Sequence, residues 1–167
     1  MAWPNLGLAH RPMAMGTRGA VASAHPLASL AGMEILKSGG NVIDAAVATA
    51  AALNVVEPYM SGIAGDGYML IYTAKDRQLR VLDYMGPAAA AATPDAFANY
   101  KEMQFSPKAP LVPGSAAGWL TALETMGTLD RATVFAPAIA LAEEGAPQTV
   151  KNATFYGNAF AAGHLSK

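Results

Sequence analysis

The stretch Gly39-Gly40-Asn41-Val42-Ile43-Asp44-Ala45-Ala46-Val47-Ala48-Thr49-Ala50 constrains the fold of this chain more than any other. Glycine ends helices readily because it reaches backbone conformations that side chains disfavour. Asn41 then suits an N-cap, and Asp44 falls at the third helical position, where a carboxylate favours the positive end of the helix dipole. Upstream, His25-Pro26 suits a first helical turn. Leu27, Leu30, Ala31, Glu34 and Ile35 follow at helical spacing, which predicts a helix over 26–37. The second helix runs to Val56 and stops before Glu57-Pro58, since a residue preceding proline is pushed out of the helical region. Two helices joined by a glycine turn make a helical hairpin. Alanine buries little area per side chain, so the core is expected to rest on closely approaching helices and sheet.

The 167 residues have room for one ordinary domain, and 53% apolar against 14% charged residues favours folding over disorder. With a net charge of −1 and no run of Lys or Arg, neither nucleic acid nor an anionic membrane surface is indicated as a partner. The absence of cysteine removes disulfides, thiolate metal sites and a Cys nucleophile. His10, His25 and His164 show no metal-ligand spacing, so no metal or other cofactor is indicated. The apolar segment 42–56 is shorter than the roughly 18 to 20 residues needed to cross a bilayer. Residues 1–18 read as an extended leader. Pro4, His10, Arg11, Pro12 and Arg18 interrupt what a secretory signal would need, which leaves the cytoplasm as the default location.

Residues 19–23 read as a short strand. After the second helix comes the loop from Met60 to Gly67, then an apolar and aromatic strand over 68–72, a turn at 74–77 and a strand over 79–83, together a β-hairpin. The tract Ala88 to Ala92 is a connector, with a helix restarting near Asp95. Beyond Pro107, Pro110 and Pro113, helices are expected over 114–126 and 131–143, the latter closing at Gly145 with Pro137 marking a kink or a first turn. The last twenty or so residues show no strong period and no closing element.

Chemistry is sparse. The Met60–Gly67 loop has G-x-x-G-x-G order, lacks Gly-Lys-Ser/Thr and precedes a strand, so close backbone approach is favoured over a phosphate cradle. Asp66 reads as a turn residue before a ligand contact. Ser61, Ser106 and Ser115 lack a nucleophile-elbow frame. His25 suits a structural hydrogen bond better than general-base work, and Glu143-Glu144 a solvated helix end. No catalytic constellation is complete.

The run GAVASAHPLASLAGMEILKSGGNVIDAAVATAAALNVVEPYMSGIAGDGYMLIY, with the later LVPGSAAGWLTALETMGTLDRATVFAPAIALAEEGAP, resembles the N-terminal part of the large subunit of the γ-glutamyltransferase family over residues 19–147. The resemblance implies an α+β fold, the αββα sandwich of N-terminal nucleophile hydrolases, of which residues 19–167 would form an incomplete, large-subunit portion. It also implies a self-cleaving precursor, a small catalytic subunit as partner, and a Thr nucleophile at the start of that subunit. Within the chain itself no catalytic residue is expected. The implied substrate is a small-molecule amide or γ-glutamyl compound, and the family is often exported.

One departure bears on substrate choice. Where the family has an Arg that pairs with the α-carboxylate of the glutamyl donor, LDYMGPAAAAATPD places Met85, the expected substrate-binding position. A thioether cannot supply charge-assisted donors to a carboxylate. Either another Arg, such as Arg80, takes that role, or the acyl donor is not γ-glutamyl. The alternatives are a related amidohydrolase or acylase with a different acyl group and a non-catalytic subunit-interaction module. Asp66 stands where many members of the family have glycine.

Overall fold

The computed structural model describes residues 14–163. In chain order the elements are α1 (Pro26–Lys37), α2 (Val42–Val56), β1 (Tyr68–Thr73), β2 (Gln78–Asp83), a 3₁₀ turn (Pro94–Ala96), α3 (Tyr100–Phe105), α4 (Ser115–Met126), α5 (Arg131–Glu144) and α6 (Val150–Ala161). The expected leader over 1–18 falls mostly on residues outside this range.

α2 is the hub. It packs on α1, α5 and α4, and Val47, Ala48, Ala52 and Asp44 are inaccessible or nearly so. Small residues permit this proximity. A Cβ on Gly32 of α1 would lie 2.1 Å from Thr49 Oγ1 of α2, and one on Gly40 would lie 2.7 Å from Ile35 Cγ2. The α1–α2 turn passes through Gly39 at φ 93°, the left-handed region that glycine tolerates.

The caps follow the sequence pattern. His25 caps α1 by accepting the Leu27 N–H on Nδ1 at 3.2 Å, so the structural role expected of it is the one it fills. Its Nε2 is buried and finds no hydrogen-bond partner among the described residues. At α2 the capping box is complete: Asn41 Oδ1 accepts from Ile43 N at 2.8 Å and Asp44 N at 3.1 Å, and Asp44 Oδ2 accepts from Asn41 N at 2.8 Å. Asp44 also reaches 84 residues along the chain, accepting the Thr128 hydroxyl at 2.6 Å and the Thr128 N–H at 3.1 Å. Asn41 Nδ2 donates to Met126 O at 2.7 Å. The pair therefore ties the start of α2 to the α4–α5 turn.

β1 and β2 form an antiparallel hairpin in which Met69 pairs with Leu82, Leu70 with Val81, and Tyr72 with Leu79. Met69, Ile71 and Leu82 pack into the helical core. The alternate positions Tyr68, Leu70, Tyr72, Leu79 and Val81 present an exposed apolar face, with Leu70 68% accessible. At the turn, Arg77 has φ 54°. Asp76 accepts from Arg80 Nη2 at 2.5 Å, from the Thr73 hydroxyl and from Gln78 N at 3.2 Å. The Arg80 hydrogen bond foremost, with that of Thr73, holds the Asp76 carboxyl well below the usual carboxylate range.

Three expectations need correction. Residues 19–23 do not form a strand, because no described strand lies alongside to complete a ladder; Ala20 to Ser23 instead line an apolar groove of about 400 Å³ with Leu36, Val42, Ala46 and Leu53. The helix expected near Asp95 is only a single 3₁₀ turn, and α3 starts at Tyr100, capped by Asn99. The tail holds a helix, α6. Its sole buried residue is Asn152, although its apolar residues Val150, Ala153, Tyr156 and Phe160 do recur at helical spacing. Of the two places expected for Pro137, the structure has it inside α5, beyond the first turn.

Candidate functional site

Three segments converge where the hairpin leaves the helical core: 62–67 before β1, 83–87 after β2, and 112–118 at the start of α4. Their glycines let the backbones meet. Gly65 O accepts from Gly114 N at 3.1 Å and Ser115 N at 2.8 Å, Gly67 O accepts from Tyr84 N at 3.0 Å, and Pro87 O accepts from Val112 N at 3.0 Å. The Tyr84 ring lies over Gly118, where a Cβ would come within 2.3 Å of it, and against Gly67 at 3.1 Å. The glycine loop thus spends its backbone groups on neighbouring segments, as expected for close strand packing.

Met85 sits in this junction and is 43% accessible. Its N–H donates to Asp83 Oδ1 at 2.9 Å, and the next N–H, that of Gly86, donates to Asp66 Oδ1 at 2.7 Å. Asp66 therefore bridges from the glycine loop to the Met85 turn, a link across 20 residues that the sequence did not single out. Neither Asp66 nor Asp83 appears in an ion pair among the described residues.

The glycine loop is anchored from behind. Glu57, buried, ends α2, and its backbone oxygen accepts from Met60 N at 2.9 Å and Ser61 N at 3.0 Å. Asn152 of α6 donates to Val56 O at 2.7 Å and accepts the Tyr59 hydroxyl at 2.9 Å, while Tyr59 stacks on Phe155 at 4.3 Å. Lys151 Nζ lies 3.8 Å from Glu57 Oε1. Asn152 and Lys151 of α6, with the Phe155 ring stacked on Tyr59, fasten the loop.

The other residues considered for chemistry stay apart. Ser61 Oγ donates to Asn54 Oδ1 at 2.7 Å, Ser115 is buried at the start of α4, and His25 caps α1. Arg80 is held at the far end of the hairpin by Asp76 and by Thr73 Oγ1 at 2.7 Å. Met85 lies five positions beyond it along the chain, at most about 17 Å at the usual extended rise. Among the described residues no cluster of His, Cys, Asp or Glu could hold a metal ion, and no helix is long and apolar enough to cross a membrane. Among the described residues the junction brings together no nucleophile and base.

Comparison with known proteins agrees with this architecture. A profile of the γ-glutamyltranspeptidase family matches residues 28–162. The chain is 45% identical over 145 residues to the glutathione hydrolase proenzyme of Bacillus subtilis (strain 168), covering 83% of this chain and 25% of that protein. It is 44% identical over 144 residues to the acylase ACY 1 proenzyme of Pseudomonas sp. (strain V22), covering 79% and 26%. It superposes on the crystal structure of Helicobacter pylori γ-glutamyltranspeptidase with a TM-score of 0.81 and 34% identity, covering 89% of this chain and 44% of that one. The chain spans about a quarter of the length of these curated relatives. Matched across most of its residues in sequence and in backbone, the chain belongs to the γ-glutamyltranspeptidase family and carries part of its mixed α and β fold.

Proposed function

We propose that this chain is the large-subunit scaffold of a γ-glutamyltransferase-like amidase whose acyl donor lacks an α-carboxylate at the position facing residue 85. Met85 carries this reading: the position assigned by resemblance to a carboxylate-binding Arg holds an exposed thioether. Arg80, the nearest candidate substitute on the hairpin, is committed to Asp76 and Thr73. The likeness to an acylase proenzyme as well as a glutathione hydrolase proenzyme supports a family setting in which acyl groups differ.

In the whole protein the nucleophile is the hydroxyl of an N-terminal Thr on the partner small subunit, supplied outside these 167 residues. Its free α-amine takes the hydroxyl proton as the oxygen attacks the amide carbonyl, and returns it to the departing amine. Water, or an acceptor amine, then releases the acyl group. The present chain contributes the helices that support the sheet and the junction around Met85 that meets the acyl group.

The test is release of p-nitroaniline from acyl-p-nitroanilides. The longer protein should cleave them and lose activity when its small-subunit Thr is replaced by Ala, whereas the 167-residue chain alone should match a boiled control. Activity of the lone chain, or a longer protein inert toward every acyl anilide, would overturn the proposal.

A further inference from the structure

We infer that Asp66 is a positioning residue for acyl-donor selection, acting through Gly86 on Met85; this rests on the donor-site reading of Met85. Asp66 Oδ1 accepts the Gly86 N–H at 2.7 Å. Its oxygen is wedged between two backbones, lying 2.8 Å from where a Cβ on Gly86 would stand and 3.0 Å from that of Gly114. Neither glycine has room for a side chain: a Cβ on Gly86 would meet Val112 O at 1.6 Å, and one on Gly114 would meet Tyr84 O at 1.9 Å. The turn holding Met85 is therefore squeezed between the 112–114 backbone and the Asp66 carboxylate.

Met85 is fixed on both sides by carboxylate acceptors. Asp83 takes its own N–H from the same strand end, a local bond that any Asx-type turn could make. Asp66 takes the next N–H from a separate loop. Of these two bonds only the second joins the turn to the glycine loop, where it follows the Tyr84 N–H bond to Gly67 O on the other side of Met85. Gly65, its immediate neighbour, simultaneously accepts both N–H groups at the start of α4, so residues 65 and 66 tie the loop to the other two segments, alongside the Gly67–Tyr84 and Pro87–Val112 backbone bonds. A carboxylate acceptor gives a stronger hydrogen bond than a neutral one. Asp66 pairs with no cation among the described residues.

Removing the acceptor should let the Met85 turn drift and blur the distinction between donors. The experiment uses the longer protein and two matched substrates, γ-glutamyl-p-nitroanilide and its α-carboxamide analogue, with Asp66→Ala and Asp66→Asn. Wild type should favour the carboxamide. Asp66→Ala should reduce the ratio of kcat/KM values about tenfold, mostly through KM, the scale of one charge-assisted hydrogen bond. Asp66→Asn, which keeps an acceptor oxygen, should stay within about threefold of wild type on the same scale. A purely structural loss would lower both substrates alike and leave the ratio unmoved. An unmoved ratio in Asp66→Ala, or an Asn variant as altered as the Ala one, would overturn the inference while leaving the donor-site reading intact. If wild type does not favour the carboxamide, the donor-site reading falls and this inference with it. Hydrogen exchange at the Gly86 amide gives a readout independent of activity: it should quicken about tenfold in Asp66→Ala, and unchanged exchange would show that the clamp does not hold the turn.

Discussion

Replacing Asp44 by Ala should loosen the joint between the start of α2 and the α4–α5 turn. The carboxylate is fully buried and accepts the N–H groups of Asn41 and Thr128 as well as the Thr128 hydroxyl. Truncation frees these donors, each costing about 1–3 kcal/mol if left unpaired. Thr128 is exposed at the surface, so water can recover its hydroxyl and part of its N–H, and the helix loses one arm of its capping box. A net loss of about 3 kcal/mol results, near a hundredfold in an opening equilibrium. Amide exchange of Thr128 and Asn41 in the 167-residue chain reads this opening without requiring two-state unfolding. Both amides should lose about a hundredfold of protection in Asp44→Ala. Asp44→Asn, which retains one acceptor oxygen, should lose less. Changes under about threefold in Asp44→Ala would show that the buried carboxylate does not couple the two helix ends.

Two glycines should respond in opposite directions. Gly118→Ala places a methyl 2.3 Å from the Tyr84 ring and should destabilise by about 1–3 kcal/mol, whereas Gly157, inside α6 with nothing within 4 Å of its Cβ site, should gain about 0.5–1 kcal/mol on conversion to Ala; thermal melts of the two variants check both. Asp76 should titrate below the ordinary carboxylate range in the folded chain, first because of Arg80. A lowered folded-state pKa adds stability above the unfolded value, near 4, and that contribution fades as pH falls further. Carboxyl NMR titration should see Asp76 return toward the ordinary range in Arg80→Ala and nothing change near neutrality. The exposed hairpin face of Tyr68, Leu70, Tyr72, Leu79 and Val81 should make the lone chain bind a hydrophobic dye or self-associate, and a monomeric elution volume with a sharp melt and no dye binding would contradict that.

The helical hairpin was readable because each signal was local: glycines at 39 and 40, the Asn41–Asp44 box and Glu57-Pro58 all act within a turn of the chain. The β-hairpin was equally local. Residues 19–23 failed because an extended run becomes a strand only when another strand completes its ladder, and none is described beside it. α6 was missed because Gly157 interrupts its run and its one buried attachment, Asn152, is polar. Asn152 bonds Val56 and Tyr59 across more than 90 residues, and periodicity carries no record of such a contact. In the candidate site, Met85 stood out only as a departure from a family pattern. The clamp by Asp66 was invisible in the sequence because the Gly86 N–H that occupies it lies 20 residues away.

Residue 85 should decide whether an acyl donor with an α-carboxylate is accepted. Steady-state kinetics of the longer protein with glutathione, wild type against Met85→Arg, reads this selection. A carboxylate without its charged partner forfeits on the order of 2 to 5 kcal/mol, so wild type should use glutathione poorly, and restoring Arg should raise kcat/KM by about 30-fold to several-thousand-fold. Equal and high kcat/KM values for both proteins would show that residue 85 does not select the donor.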